Sequence, residues 1–289
     1  MFAILPVLSK IAFRIFSPEV ILFFRIAGSA IIFSIIFFIF VPEKIKVIRD
    51  YAYLAMLSIF GVVVNQFLFL KGVYLSTAIN ANIIITTIPV FTLLLAYIFS
   101  FEKITCSKVI GILVALAGVL LILDIRNFSL TKYALGNLLI VINSISYSLY
   151  LVLAKPILKR YKPFTIITYI FIFATIESIP FCYSSFLNTN FSTVRVVDYI
   201  VPACIVIFST FLPYTINTKV LSIVDSSIVA IFVYVQPLIG TMLSVVILHE
   251  QLTLLVILSA ILIFLGVALV SSHKLLPAGK KILPCPDER

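Results

Sequence analysis

The sequence predicts an all-α integral membrane bundle of about ten transmembrane helices arranged as two inverted five-helix repeats. Three observations carry this: an apolar composition, ten apolar runs of spanning length, and a self-similarity between the two halves of the chain. Of the 289 residues, 63% are hydrophobic and 11% charged, and the mean hydropathy is +1.26. A soluble domain covers its apolar core with a polar shell, and so few charges cannot cover the 26 Phe and the long Ile and Leu runs. Lipid is therefore the expected solvent for the outer face.

Spanning a bilayer takes roughly 17 to 25 mostly apolar residues. Runs of that kind, punctuated by charges, Pro or Asn, cover 1–16, 20–41, 51–70, 75–100, 106–124, 133–154, 164–184, 199–219, 226–248 and 253–271. Backbone groups in lipid must be satisfied within their own segment, and continuous runs without strict alternation mean helices rather than barrel strands. The first span has only nine residues before Lys10, about 14 Å of helix at 1.5 Å per residue, so half of it is expected to be missing through a misassigned start or a truncation. It lacks the basic n-region and small-residue cleavage site of a signal peptide. The second span carries Arg25, which Glu19 or Glu250 on the same outer side is expected to neutralise, a clamp for a substrate carboxylate being the other reading. Span 3 holds Asn65 and Gln66, and span 4 holds Asn80, Asn82, Thr86, Thr87 and the mid-helix Pro89. Span 5 has a stripe of small residues, Gly111, Ala115 and Gly118, suited to close packing inside the protomer or in a homodimer.

Span 6 contributes Asn143, Ser144 and Tyr147, and span 7 contains Glu177. Tyr214 and Asn217 lie in span 8, and Tyr234, Gln236 and Pro237 in span 9. Thr253 opens the tenth span as Thr105 opens the fifth, each placed to cap a helix. Fourteen Lys and Arg fall in the loops after spans 2, 4, 6 and 8 and in the tail 272–289, against five in the opposite loops. Because cytoplasmic loops carry the excess, both termini are expected on the cytoplasmic side. Four Cys, at 106, 182, 204 and 285, lack redox or ligand spacing, so neither a disulfide nor a metal is expected. The net charge of +10 lies in loops, where anionic lipid rather than nucleic acid is the natural partner.

Shifting the chain by 148 positions pairs Lys71 with Lys219, Pro89 with Pro237, Glu102 with Glu250, Thr105 with Thr253 and Gly118 with Gly266. A shift of 145 pairs Lys10 with Lys155 and Pro18 with Pro163. Five helices per repeat is an odd number, so the second repeat enters the membrane from the opposite side. Inverted pairs of this kind build a site between the halves near the midplane and expose it to each side in turn. The expected organisation is a first repeat over 1–124 and a second over 133–271.

The stretch Ala78–Thr105, with Pro89, the Glu102-x-Ile104-Thr105 ending and the Gly111 to Gly118 helix, resembles the EamA repeat of the drug/metabolite transporter superfamily. Its second copy runs Ser226–Thr253, with Pro237, the Glu250-x-Leu252-Thr253 ending and then Gly266. The resemblance implies ten helices, a central cavity, no cofactor, and export or exchange of amino acids, metabolites or drugs across a bacterial inner membrane. Members usually have a longer lead-in with a Trp-Gly pair, whereas this chain has no Trp.

Polar side chains in lipid are costly and should face the bundle interior, bonding across helices or lining a wet cavity. The amides, hydroxyls and phenols of spans 3, 4, 6, 8 and 9 are accordingly the candidate substrate-binding set, suited to polar or zwitterionic organic solutes. Pro89 and Pro237 each remove a backbone donor and are candidate hinges, or else static kinks. Glu177 is the one carboxylate placed well inside a span, which makes it the candidate proton-coupling residue unless it is solvated near the outer surface. Sugar-phosphate or nucleotide-sugar exchange needs fixed cations deep in the cavity, and Arg25 and Lys10 are expected near the outer side. That reading and a non-transporting scaffold are the alternatives. Membrane enzymes need His clusters, paired acids or a reactive dyad, and His249 and His273 lie apart while Glu177 stands alone. A phosphate-binding Walker loop is also missing, so ATP-driven transport by this chain alone is excluded.

Overall fold

The computed structural model describes residues 2–40, 43–99, 106–122, 132–221 and 235–272. Ten helices form among the described residues, close to the ten apolar runs. After a 3-10 turn at Phe2–Ile4 come α1 (Leu5–Ala12), α2 (Pro18–Phe40), α3 (Ile48–Leu75), α4 (Ala78–Ile98) and α5 (Cys106–Ile122). The second half contains α6 (Lys132–Leu158), α7 (Pro163–Leu187), α8 (200–221), α9 (Val235–Leu248) and α10 (Leu254–Ser272). No strand occurs among the described residues. Six of the helices, α2, α3, α4, α6, α7 and α8, are long and apolar enough to cross a membrane. Residues 273–289 and residues 100–105, with Glu102 and Thr105, lie outside the described residues.

Local chemistry sets the helix ends. Ser17 accepts from Val20 N (3.3 Å) to start α2, Thr77 accepts from Asn80 N (3.0 Å) to start α4, and Pro163 opens α7 at a position where its missing N–H costs nothing. Thr253 caps α10 as expected, accepting from Val256 N at 3.4 Å. Helix α3 begins earlier than the sequence indicates, because Asp50 is buried and held by Arg160 (2.8 Å) and the Tyr161 hydroxyl (2.8 Å) rather than ending the helix in water. At the end of α9, His249 takes the left-handed conformation (φ 54°) and turns the chain so that Glu250 reaches α4.

The packing repeats itself. Helix α5 lies along α10, α2 along α7, α3 along α6 and α1 along α8, with α4 against α9. Exchanging every helix for the one five places away returns the same set, which is the signature of a pseudo-two-fold axis. Two close approaches obey it in detail. A Cβ on Gly118 would lie 2.8 Å from Ile263 and 2.9 Å from the Ser259 carbonyl, and one on Gly266 would lie 2.4 Å from Ala115 N and 2.5 Å from the Gly111 carbonyl. Residues 259 and 263 are the 148-shifted mates of 111 and 115. The small-residue stripe of α5 is thus used inside the protomer against α10.

Candidate functional site at the repeat interface

Helix α3 carries a π-helical turn at Ile59–Val63, and α8 carries one at Ile207–Phe211, 148 residues later. A π turn inserts one residue into the helix and leaves a carbonyl short of its usual partner, so it needs a donor from elsewhere. In α3 the Tyr214 hydroxyl donates to the Gly61 carbonyl (3.3 Å) and Ser146 to the Phe60 carbonyl (2.8 Å). In α8 the Thr210 hydroxyl donates to the Ile205 carbonyl (3.1 Å). Gly61 has no room for a side chain: a Cβ there would sit 2.5 Å from the Tyr150 ring.

Gln66 and Tyr214 are themselves repeat mates, 148 positions apart, and they meet. Gln66 Nε2 donates to the Tyr214 hydroxyl at 3.5 Å, so the pseudo-two-fold axis passes between them. Beside them Asn65 and Asn143 clasp α3 to α6 reciprocally, Asn143 Nδ2 donating to the Asn65 carbonyl (2.6 Å) and Asn65 Nδ2 to the Asn143 carbonyl (3.4 Å). Asn217 Nδ2 donates to the Tyr147 hydroxyl (3.2 Å), and the Tyr147 and Tyr150 rings lie 5.7 Å apart. The edge of Phe171 meets Tyr214 at 5.2 Å. Both Gln66 and Tyr214 are buried, in the interior where a hydrogen bond left unmade is costly.

The structure therefore gathers Asn65, Gln66, Asn143, Tyr147, Tyr214 and Asn217 into one polar cluster, of which Tyr147 and Asn217 are half-buried and the rest buried. Other candidates lie elsewhere. Asn80 sits at the α3–α4 junction, donating to Asn137 (3.2 Å), which also bonds Ser76, and Lys10 donates to the Ser76 carbonyl (2.5 Å). Asn82 donates to the Ala78 carbonyl (3.0 Å) and rests on Gly240 of α9. Thr86 and Thr87 return their hydroxyls to the carbonyls of Ile83 (2.6 Å) and Ile84 (2.7 Å), inside a 3-10 turn at Ile85–Thr87 that ends two residues before Pro89. Ser144 likewise bonds its own helix, at Ile140 (3.0 Å). Gln236 is half-buried at the start of α9 with Pro237 beside it, and Tyr234 lies outside the described residues. Glu177 is half-buried and accepts from Ser58 of α3 at 2.5 Å.

Arg25 departs from its expected place. It is 2% exposed, and neither Glu19 nor Glu250 pairs with it. Glu19 is bound to Lys71 (2.5 Å), and Glu250 accepts from the backbone N–H groups of Ala78 (2.8 Å) and Ile79 (2.9 Å), capping α4 across the repeat boundary. Arg25 Nε instead donates to Thr210 (3.1 Å), in the π turn of α8. Counting residues from the helix start puts Arg25 near the outer surface. Its long side chain and the face of α2 that carries it direct the guanidinium inward, which a count does not reveal.

Two cavities lie apart from this cluster. A groove of about 520 Å³ between α4, α9 and α10 is lined almost wholly by apolar side chains such as Met242, Val246 and Phe264. A polar recess of about 400 Å³ is bordered by Arg14, Asn188, Asn190 and Asp198, at the end of the bundle where α1 and α7 finish.

Comparisons with known proteins agree with the repeat architecture. The EamA-like transporter family matches the chain twice, over residues 1–124 and 134–272. A protein of Archaeoglobus fulgidus described as an uncharacterized transporter is 31% identical over 264 residues, covering 90% of this chain and 91% of its own length. The uncharacterized transporter YetK of Bacillus subtilis is 28% identical over 205 residues, covering 70% of this chain and 62% of its own, and a WAT1-related protein of Arabidopsis thaliana is 26% identical over 56% of the chain and 52% of its own. A solved crystal structure shares the fold with a TM-score of 0.66 at 16% identity, covering 94% of this chain and 93% of its own. With two matches that together span most of its length, the chain belongs to the EamA-like transporter family.

Proposed function

We propose that the protein is a secondary transporter, not an enzyme, that moves a small polar organic solute out of the cell by alternating access, with its site at the Gln66–Tyr214 pair. The single observation that carries this reading is the meeting of two repeat mates on the pseudo-two-fold axis, where a rocking motion of one half against the other changes access from one side to the other. Hydrogen bonds of 3.3 and 3.5 Å lie at the long, weak end of the range. Exchanging them for bonds to a solute therefore costs little, which suits a contact remade in every cycle. Tyr147, Tyr150 and Phe171 supply aromatic faces around the polar groups.

Pro89 follows a 3-10 turn and is the hinge of α4 in this scheme, with Pro237 its mate in α9. Glu177, held by Ser58 across the α3–α7 contact, is the proton-coupling group, since its charge state governs a bond between two helices that must shift. In this scheme both termini face the cytoplasm, a reading supported by the excess of Lys and Arg in the loops on that side.

Purified protein in liposomes, bathed or loaded with amino acids, nucleobases and cationic dyes, tests the reading. Saturable flux is expected for at least one class, with loss in Gln66→Leu and loss of the gradient dependence in Glu177→Gln. If no member of the panel crosses, the transport reading fails; if flux is indifferent to the proton gradient in both wild type and Glu177→Gln, only the coupling is wrong.

A further inference from the structure

We infer that Arg25 binds the carboxylate of the transported solute, which is therefore a monoanionic or zwitterionic organic acid; the inference rests on the transport reading above. A guanidinium stays charged under all ordinary conditions, and a buried charge without a counter-charge is strongly disfavoured. Arg25 is 2% exposed, and among the described residues no carboxylate pairs with it. Its one hydrogen-bond partner is the Thr210 hydroxyl, and its Nη1 is buried with no acceptor. A fold that keeps such a group while lodging the neighbouring acids Glu19 and Glu250 elsewhere leaves the counter-charge to be supplied by a ligand.

The surroundings indicate which ligand. Ser29 lies one turn beyond Arg25 on the same face of α2, and its hydroxyl is buried without a partner. Gln66 Oε1 is a buried acceptor in the same condition. Thr210 and Tyr214 are one turn apart on α8, so Arg25 is linked through them to Gln66 and the pseudo-two-fold axis. The unmet groups are thus one cationic donor and one hydroxyl on one side, and one amide oxygen on the other. A carboxylate satisfies the first set, accepting a charge-assisted bond from Nη1 and a bond from the Ser29 hydroxyl. An ammonium or amide N–H on the same solute satisfies Gln66. A phosphate ester, with close to two negative charges, would need a second fixed cation. Lys71, Arg160 and Arg195 are already paired with acids.

The test measures binding to the full-length protein purified in detergent, by calorimetry and by ligand-induced thermal shift. The probes are the twenty common amino acids and their 2-oxo acids, each set beside its carboxamide. At least one carboxylate probe is expected to bind, and its amide about tenfold or more weakly, as loss of a charge-assisted bond implies. Arg25→Met should bind acid and amide alike, while Arg25→Lys should keep part of the preference. An amide that binds wild type as well as its acid, an Arg25→Met protein that keeps the preference, or failure of every carboxylate to bind would overturn the inference. Should Arg25→Met not fold, the wild-type comparison of acid with amide decides alone. Liposome flux separates the two readings: transport of solutes without regard to a carboxylate sinks the role of Arg25 and leaves transport standing, whereas carboxylate-selective binding without flux of any probe sinks transport alone.

Discussion

Replacing Gly266 with alanine places a methyl where the backbone of α5 already lies. The added Cβ would sit 2.4 Å from Ala115 N and 2.5 Å from the Gly111 carbonyl, and ordinary contact begins at 3.4 Å, so α10 must retreat by about 1 Å. Backbone atoms of a helix cannot rotate aside, so the cost falls near the upper end for overpacking, ~3 kcal/mol. Alanine recovers ~1 kcal/mol of helix propensity over glycine, leaving a loss of ~2 kcal/mol. Gly118→Ala meets Ile263 and the Ser259 carbonyl at 2.8 to 2.9 Å and should lose less. Gly28→Ala has the two Val206 methyls as its nearest neighbours, both at 3.1 Å, a contact that a shift of a few tenths of an ångström relieves, so of the three it should lie nearest to wild type. Thermal unfolding of the detergent-purified variants, followed by size-exclusion fluorescence, should rank them Gly28→Ala, Gly118→Ala, Gly266→Ala from most to least stable, with several degrees between the ends. A Gly266→Ala protein that melts with or above Gly28→Ala would refute the close α5–α10 contact and the placement of the small-residue stripe inside the protomer.

Three further outcomes are expected. Glu250→Gln removes the charge from two bonds that cap α4 and should lower the melting temperature, by ~1 kcal/mol of stability, more than Glu43→Gln at the opposite end of the bundle, where one of the two acceptor bonds is to a hydroxyl. Tyr214→Phe leaves the Gly61 carbonyl without its donor and should cost ~1–3 kcal/mol, and in a double-mutant cycle with Gln66→Leu a coupling below ~0.3 kcal/mol would mean that the pair does not interact. In a cysteine-free background, Lys44→Cys should react with a membrane-impermeant maleimide only after cell lysis and Ser192→Cys in intact cells; the reverse pattern would invert the proposed orientation.

How much of the site was legible follows from what each residue depends on. Asn65, Gln66, Tyr147 and Tyr214 were recoverable because a polar side chain in a long apolar run has few places to go but inward. The same logic also drew in Thr86, Thr87 and Ser144, whose hydroxyls bond to carbonyls three or four residues back in their own helix. Short hydroxyl side chains can always take that option, and no pattern of residue types distinguishes it from facing a cavity. Glu250 is expected from the sequence as a partner for Arg25, whereas it caps the start of α4 from the other repeat. Neither π turn has a sequence mark, since both lie in unremarkable apolar segments and depend on donors from α6 and α8 itself.

Sequence alone settled whatever is carried by one dimension. Hydropathy over a run long enough to cross a bilayer determined the ten helices, because lipid leaves the backbone no other way to satisfy itself. Identity of Lys, Pro, Glu, Thr and Gly at a shift of 148 determined the repeat, and an odd number of helices per repeat determined its inversion. Tertiary structure decided where the long side chains end. Arg25 lies near the start of its helix in both descriptions, yet only the packing of α2 against α8 brings its guanidinium to Thr210 instead of the outer surface. The reach of a flexible side chain and the rotation of a helix about its axis depend on every neighbour at once, and no single run of residues encodes them.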